Sequence, residues 1–300
     1  MSASGTVFDI GYQRYTGTRE GRGRGRRAIF KDGVRTALAL GRGPKAKILP
    51  WAFIIMLSGI GLVMAIIAAA ANAMGGPETA EKAQLPSHAD FYGIASIIVF
   101  VFAAVVAPEL LCPDRRNKTI SLYLVRPITG GDYVLSRWAA FLAVMLGALW
   151  LPQLILFLGR AGSAQVPMDY MRDNWADVPR FILAGAAMAT YATTLAMLTA
   201  SFTTRRAYAS IFLVGLFVVS VPFVFPLSEE IGGTAGKWIS MFSLTNIPVH
   251  VNDIIFGEVS EITEDAPARA LPKAILIGWY FAWTVIPLGI LWYRYERLSP

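Results

Sequence analysis

Six stretches of roughly twenty apolar residues, separated by short polar or charged segments, set the rhythm of this 300-residue chain. They fall at 48–71, 91–111, 138–158, 181–201, 207–226 and 274–293. Each is long enough to cross a hydrocarbon core of ~30 Å. A lipid-facing backbone has to satisfy its own hydrogen bonds, so each run is predicted to be a helix. Only FTTRR, at 202–206, separates the fourth run from the fifth, which predicts a tight helical hairpin.

The segments between the runs carry patterns of their own. Ahead of the first, AIFKDGVRTALALGRG places Ile29, Phe30, Val34, Ala37 and Leu38 near one helical face, with Lys31, Asp32 and Arg35 opposite. That is the pattern of an amphipathic helix lying at a membrane interface, or of an ordinary juxtamembrane helix. Gly41, Gly43 and Pro44 end it. The 227–273 segment is too long for a simple connector. Its GKWISMFSLTNIPVHVNDIIFGE portion is apolar enough for a re-entrant or interfacial helical pair but too broken by polar residues to span, and EVSEITEDAPAR reads as a solvated acidic loop.

Composition sharpens the class. Hydrophobic residues make up 55% of the chain, charged residues 16%, and the mean hydropathy is +0.51, which leaves too little polar surface for a water-soluble domain. The expected fold is therefore an all-α polytopic membrane protein. Charge supplies orientation. Twenty Lys and Arg fall in the N-terminal segment, 112–137, 202–206 and the C-terminal segment, against seven in the alternate loops. The excess places the N and C termini in the cytoplasm. Residues 1–47 then read as a cytoplasmic basic tail and interfacial helix rather than a secretory signal, 48–293 as the membrane domain, and 294–300 as a cytoplasmic tail. The net charge of +7 follows from this topology and needs no nucleic-acid partner. Trp51, Trp138 and Trp292 sit at the predicted inner boundaries, as amphipathic rings prefer.

Candidate chemistry is sparse. The single cysteine, Cys112, excludes an internal disulfide and a cysteine metal cluster. His88 and His250 fall in separate outer loops and suggest no metal site. GGTAGKW, at 232–238, lacks the spacing of a phosphate-binding loop, having Ile231 and Trp238 at the decisive positions. The Gly-Arg run from Gly21 to Arg27 reads as a flexible cationic tail against anionic lipid, or as a contact for a cytoplasmic partner. Glu109 lies near the end of the second run, where anchoring or pairing with an arginine suits it better than a proton relay. Gln153, Thr190, Tyr191 and Thr194 either line a pathway or hydrogen-bond helix to helix, and the rows Gly61/Ala65/Ala69 and Gly185/Ala189/Thr193 suit close packing. No catalytic constellation is present, so the chain is not expected to be an enzyme by itself.

The loop between the second and third runs is different. It reads DRRNKTISLYLVRPITGGDYVLSR over 114–137. An acid-Arg pair, a Thr, a short apolar helix, a Pro turn and a closing basic residue follow one another. This succession resembles the cytoplasmic loop of type-2 ABC-transporter permeases. Asp114-Arg115 fall on the acid-Arg pair, Thr119 on the Thr, Leu122 and Leu124 in the helix, Pro127-Ile128-Thr129 on the turn and Arg137 on the closing position. Two departures stand out: Asp114 is shorter than the usual Glu, and Lys118 occupies a position where Gly is common. The resemblance implies a permease subunit whose coupling helix, between spans 2 and 3, docks in a cleft of a separate ATPase. Two permease chains, identical or homologous, and two ATPase chains would make the working unit, with ATP and Mg bound by the ATPases and no cofactor on this chain. Asp114, Arg115, Arg116, Lys118, Thr119, Leu122, Tyr123, Leu124, Arg126 and Pro127 are the expected ATPase contacts, and spans one, two and five are expected to line the path. The paucity of buried charge suits export of a hydrophobic, amphipathic or lipid-linked substrate across the inner cell membrane. A non-transporting scaffold or sensor that recruits a partner through the same loop is the alternative.

Overall fold

The computed structural model describes residues 21–82, 87–124 and 128–297. Among these, every regular element is helical: α1 Arg22–Ala37, α2 Pro44–Lys82, α3 His88–Arg116, α4 Ile120–Leu124, α5 Gly130–Ser163, α6 Pro167–Asp173, α7 Asp177–Ala200, α8 Arg206–Ile231, α9 Gly233–Ser240, α10 Asn246–Phe256, α11 Glu261–Glu264 and, after a 3-10 turn at Pro267–Ala270, α12 Lys273–Glu296. Six of them (α2, α3, α5, α7, α8 and α12) are long and apolar enough to cross a membrane, and they contain the six predicted runs. The helices outrun the apolar stretches because capping, not hydropathy, decides where a helix starts. Ser87 accepts from the Asp90 amide at 3.2 Å while Asp90 accepts from the Ser87 amide at 2.7 Å. Thr129 and Asp132 repeat this reciprocal capping box at the head of α5.

Helices α3 and α7 form the interior, with α8 flanking α3 and with α5 and α12 lying along α7. Phe100 of α3 touches Phe217 of α8 at 4.7 Å between ring centroids, and Tyr191 of α7 stacks on Tyr280 of α12 at 5.9 Å. The connection at 201–205 is as short as expected, but α8 leans chiefly on α3 rather than on α7, because Leu213 and Phe217 bury themselves there. Helix α2 joins α5 through the small-residue row. Gly61 lies so close to Pro152 that an added Cβ would come within 2.6 Å of its carbonyl oxygen, and Ala65 meets Gly159 one turn further on. Without a hydrophobic drive inside lipid, such close approach is what holds helices together.

The expected amphipathic helix is α1, with Ile29, Gly33 and Ala37 buried against α5. It begins earlier than the pattern of apolar positions suggested and includes the Gly-Arg run, whose reading as a flexible tail is corrected from Arg22 onward. Arg22 and Arg26 are one turn apart and both pair with Asp132 of α5. Residues 1–20 of that tail lie outside the described residues. Beyond α1 the chain turns through Ala39 (φ 51°) and Gly41 (φ 83°) before Pro44 opens α2.

At the opposite end of the bundle, α9 and α10 are the helical pair expected before the sixth span. Helix α10 is enclosed against α7, α3 and α12. The acidic stretch after it is not a free loop: Asp253 accepts from the Ser260 amide at 3.2 Å and from the Thr263 hydroxyl, and both of those residues are buried. Both histidines are buried rather than looped out. The ring of His88 contacts Gln153 Oε1 at 2.5 Å, and the Gln153 amide donates to the His88 carbonyl at 3.1 Å. Burial in α10, which is not itself one of the six spans, pushes the His250 imidazole down to about 4. No grouping of metal-ligating side chains occurs among the described residues.

The contact of Gly61 with Pro152 makes a direct prediction. Gly61→Val should force α2 away from α5 and cost about 1–3 kcal/mol. Thermal unfolding of the purified protein in detergent measures it, and an unchanged midpoint would refute the close approach.

Candidate functional site

The loop between α3 and α5 is built around one acid. Asp114, in the last turn of α3, accepts from the Tyr133 hydroxyl at 2.6 Å, from Arg137 Nη2 at 2.9 Å and from the Thr119 hydroxyl at 3.1 Å. Arg137 is only 3% exposed, and its other terminal nitrogen pairs with Asp32 of α1 at 2.8 Å. Its guanidinium also lies 5.7 Å from the centre of the Tyr133 ring. The residue after the acid turns the other way. Arg115 donates to the carbonyls of Ser201 and Thr203, capping the C-terminal end of α7. One acid-Arg pair therefore ties α3 to α5 and α1 on one side and to the α7–α8 turn on the other.

Thr119 then precedes α4, as the helix-start pattern suggested, and its hydroxyl also donates to the Asp114 carbonyl at 3.2 Å. Lys118 has φ 55°. That is the left-handed region, where a side chain costs roughly 1–2 kcal/mol and glycine costs little. The departure from Gly noted in the sequence thus falls on the residue whose backbone most favours Gly. Inside α4, Ile120 is buried and the Tyr123 ring lies tilted against Tyr133 at 5.4 Å, and Tyr133 in turn stacks on Tyr295 of α12 at 5.9 Å. Burial, and then the charge of Asp114, push the Tyr123 phenol up.

The outward face is correspondingly small. Arg116, Asn117, Lys118 and Ser121 are exposed, and Leu122 is 68% exposed. Asp114, Arg115, Thr119 and Tyr123 point into the bundle. Arg126 and Pro127 lie outside the described residues, as does the side chain of Leu124.

The far side of the loop is locked as firmly. Asp132 caps α5 and also holds Arg22 and Arg26, and its hydrogen bond and charge push the Arg22 guanidinium up. The amide of Gly131 donates to Glu296 of α12 at 2.8 Å, an approach that a Cβ at this position would block.

Residues 36–299 match the family described as ABC-2 family transporter protein. The chain belongs to that family. It is a multi-pass membrane permease subunit, of the kind that works with ABC ATPase subunits. No curated protein matches it.

In this permease the polar residues noted within the spans serve contacts inside the chain. Gln153 holds His88, Thr194 accepts from Trp138 Nε1 at 3.0 Å and donates to the Thr190 carbonyl at 2.7 Å, and Tyr191 is enclosed by Phe100 and Tyr280. The second span, α3, is covered within the chain by α7 and α8, whereas α2 and α8 leave long apolar faces uncovered. Glu109 pairs with Arg42 at 3.0 Å and Arg206 at 2.7 Å, as its position suggested. Asp132, Tyr133 and Glu296 were not singled out in the sequence, and Asp32 was placed only on the polar face of the interfacial helix. Only Asp132 had a local signal, the Thr129-x-x-Asp132 capping box.

Two outcomes test this arrangement. Asp114→Asn strips a nearly buried guanidinium of its main partner and should cost about 3 kcal/mol, while Asp32→Asn, on the exposed side, should cost less than about 1 kcal/mol. Thermal unfolding with hydrogen exchange over 114–124 reads both; equal losses would contradict the hierarchy. Lys118→Gly should be tolerated, whereas Lys118→Val should cost about 1–2 kcal/mol because a β-branched residue resists positive φ.

Proposed function

We propose that the permease is the membrane half of an ABC exporter in the inner cell membrane, with its basic end and both termini in the cytoplasm. Two permease chains, the second a copy or a homologue, pair with two ATPase chains that bind ATP and Mg. Helix α4 is the coupling helix. It seats Leu122 in a groove of the ATPase, with Arg116 and Lys118 steering toward acidic side chains at the rim. The observation that carries this reading is the asymmetry of the loop. Leu122 stands out in solvent, while Asp114, Arg137 and Tyr133 bind the base of α4 to two spans and α1. A short helix held this way passes a push to the bundle instead of yielding locally.

Closure of the ATPases would move α4 together with the ends of α3 and α5, and the apolar faces of α2 and α8 would part or meet across the two permeases. A path walled by such faces suits a hydrophobic, amphipathic or lipid-linked substrate. Reaction chemistry is left to the ATPases, and the permease contributes shape and force transmission.

Leu122→Asp should weaken ATPase binding by about tenfold or more, since it replaces a buried leucine contact worth about 1.5–3 kcal/mol with a charge. Leu122→Met should behave like the parent. Co-purification with the partner ATPase and ATP turnover in liposomes read the effect. Unchanged assembly and coupling in Leu122→Asp would remove α4 from the interface. Assembly without any substrate movement by the parent would instead favour a scaffold.

A further inference from the structure

We propose that the junction of the α1–α2 linker, the end of α3 and the start of α8 is a binding site for the phosphate group of an anionic membrane lipid. This site is distinct from the Leu122 contact of α4 and from the transported substrate, and it shares only Arg116 with the docking face. A half-enclosed hollow of about 300 Å3 opens there, bordered by Arg42, Arg116 and Arg206, with Glu109, Asn117 and Thr204 between them. Three guanidiniums face one carboxylate, an excess of two positive charges in a single recess.

The single acid does not quench the site; it organises it. Glu109 bridges Arg42 and Arg206, fixing two flexible side chains from distant parts of the chain at 3.0 and 2.7 Å. Held in that way, their remaining N–H groups are set for a multidentate acceptor, and the ordering cost of binding is already met. Arg116 makes no ion pair among the described residues. Guanidinium forks match phosphate oxygens better than a lysine ammonium would, and the Asn117 amide and Thr204 hydroxyl add neutral donors.

The apolar part of the ligand has a place too. A second hollow of about 390 Å3 borders the same α7–α8 turn and is walled by Phe202, Tyr208 and Phe212. Phe212 and neighbouring Ile211 are 60% and 71% exposed on a helix long and apolar enough to span. A charged recess and an aromatic hollow on one turn, at the end of a membrane helix, fit a molecule with a phosphate head and hydrocarbon tails.

The test uses the full-length permease in neutral detergent, titrated with phosphatidylglycerol, phosphatidylcholine or inorganic phosphate. Retained lipid is read by native mass spectrometry and stabilisation by thermal unfolding. Phosphatidylglycerol should bind and stabilise in preference to phosphatidylcholine, and Arg116→Gln or Arg42→Gln should weaken it by about tenfold. Arg35→Gln, an equal change of charge on the exposed face of α1, should leave binding unchanged, and all three variants should match the parent's midpoint without lipid to within a few degrees. Displacement of the lipid by millimolar inorganic phosphate would keep the phosphate site but assign it to a soluble ligand. Equal binding of the two lipids, or equal loss in Arg35→Gln, would overturn the proposal.

Discussion

A guanidinium taken almost wholly out of water has to be neutralised where it stands, and Arg137 imposes that condition on this permease. The desolvation of an unpaired cation would cost several kcal/mol. Two carboxylates from different parts of the chain, Asp114 and Asp32, are therefore drawn to one point, and Tyr133 closes the cluster beside them. Because the partners sit on α3, α1 and α5, satisfying one side chain places three helix ends. The ring contacts of Tyr133 with Tyr123 and Tyr295 then carry the constraint on to α4 and α12. Helix α4 has five residues and could not hold a shape alone; its position is inherited from this cluster.

Elsewhere the bundle is held by a different force. Inside a bilayer, apolar side chains gain little by leaving lipid for protein, so cohesion comes from close backbone approach and ring contact. Gly61 against Pro152 and Phe100 against Phe217 are examples. The two regimes divide the molecule. Its basic end is bonded by charge and capping, its middle by shape, and its opposite end by buried polar contacts: Asp253 of α10 gathers Ser260 and Thr263, and Gln153 of α5 holds His88 of α3. The uncovered faces of α2 and α8 belong to the middle regime, where exposure to lipid carries no penalty.

The family pattern in the loop acquires a cause for each position. The acid gathers hydroxyl and guanidinium donors, the arginine after it caps α7, the Thr starts α4, and Thr129 after the Pro caps α5. The position held by Lys118 has positive φ, which is why glycine suits it. Most of these residues support the loop from within, and Arg116, Asn117, Lys118, Ser121 and Leu122 remain as its exposed face among the described residues from the end of α3 through α4. A motif can be legible in sequence while the division of its residues between support and contact is not, since both are polar or apolar side chains at similar spacing.

The sequence by itself determined that six helices cross a membrane, that an amphipathic helix precedes them, that a helical pair precedes the sixth, and that the loop at 114–137 carries the distinctive chemistry. Those features depend on local or short-range quantities: hydropathy over twenty residues, helical periodicity, and the spacing of a motif. Tertiary structure alone decided that the Gly-Arg run is helical, because Asp132 lies more than a hundred residues away from the arginines it pairs with. It alone enclosed His88 and His250, and set α8 against α3 instead of its neighbour in sequence. It also brought Asp32 to Arg137 and Arg42 to Glu109. The pairing of buried charges and rings across distant segments depends on where whole helices come to rest, and no local pattern encodes that.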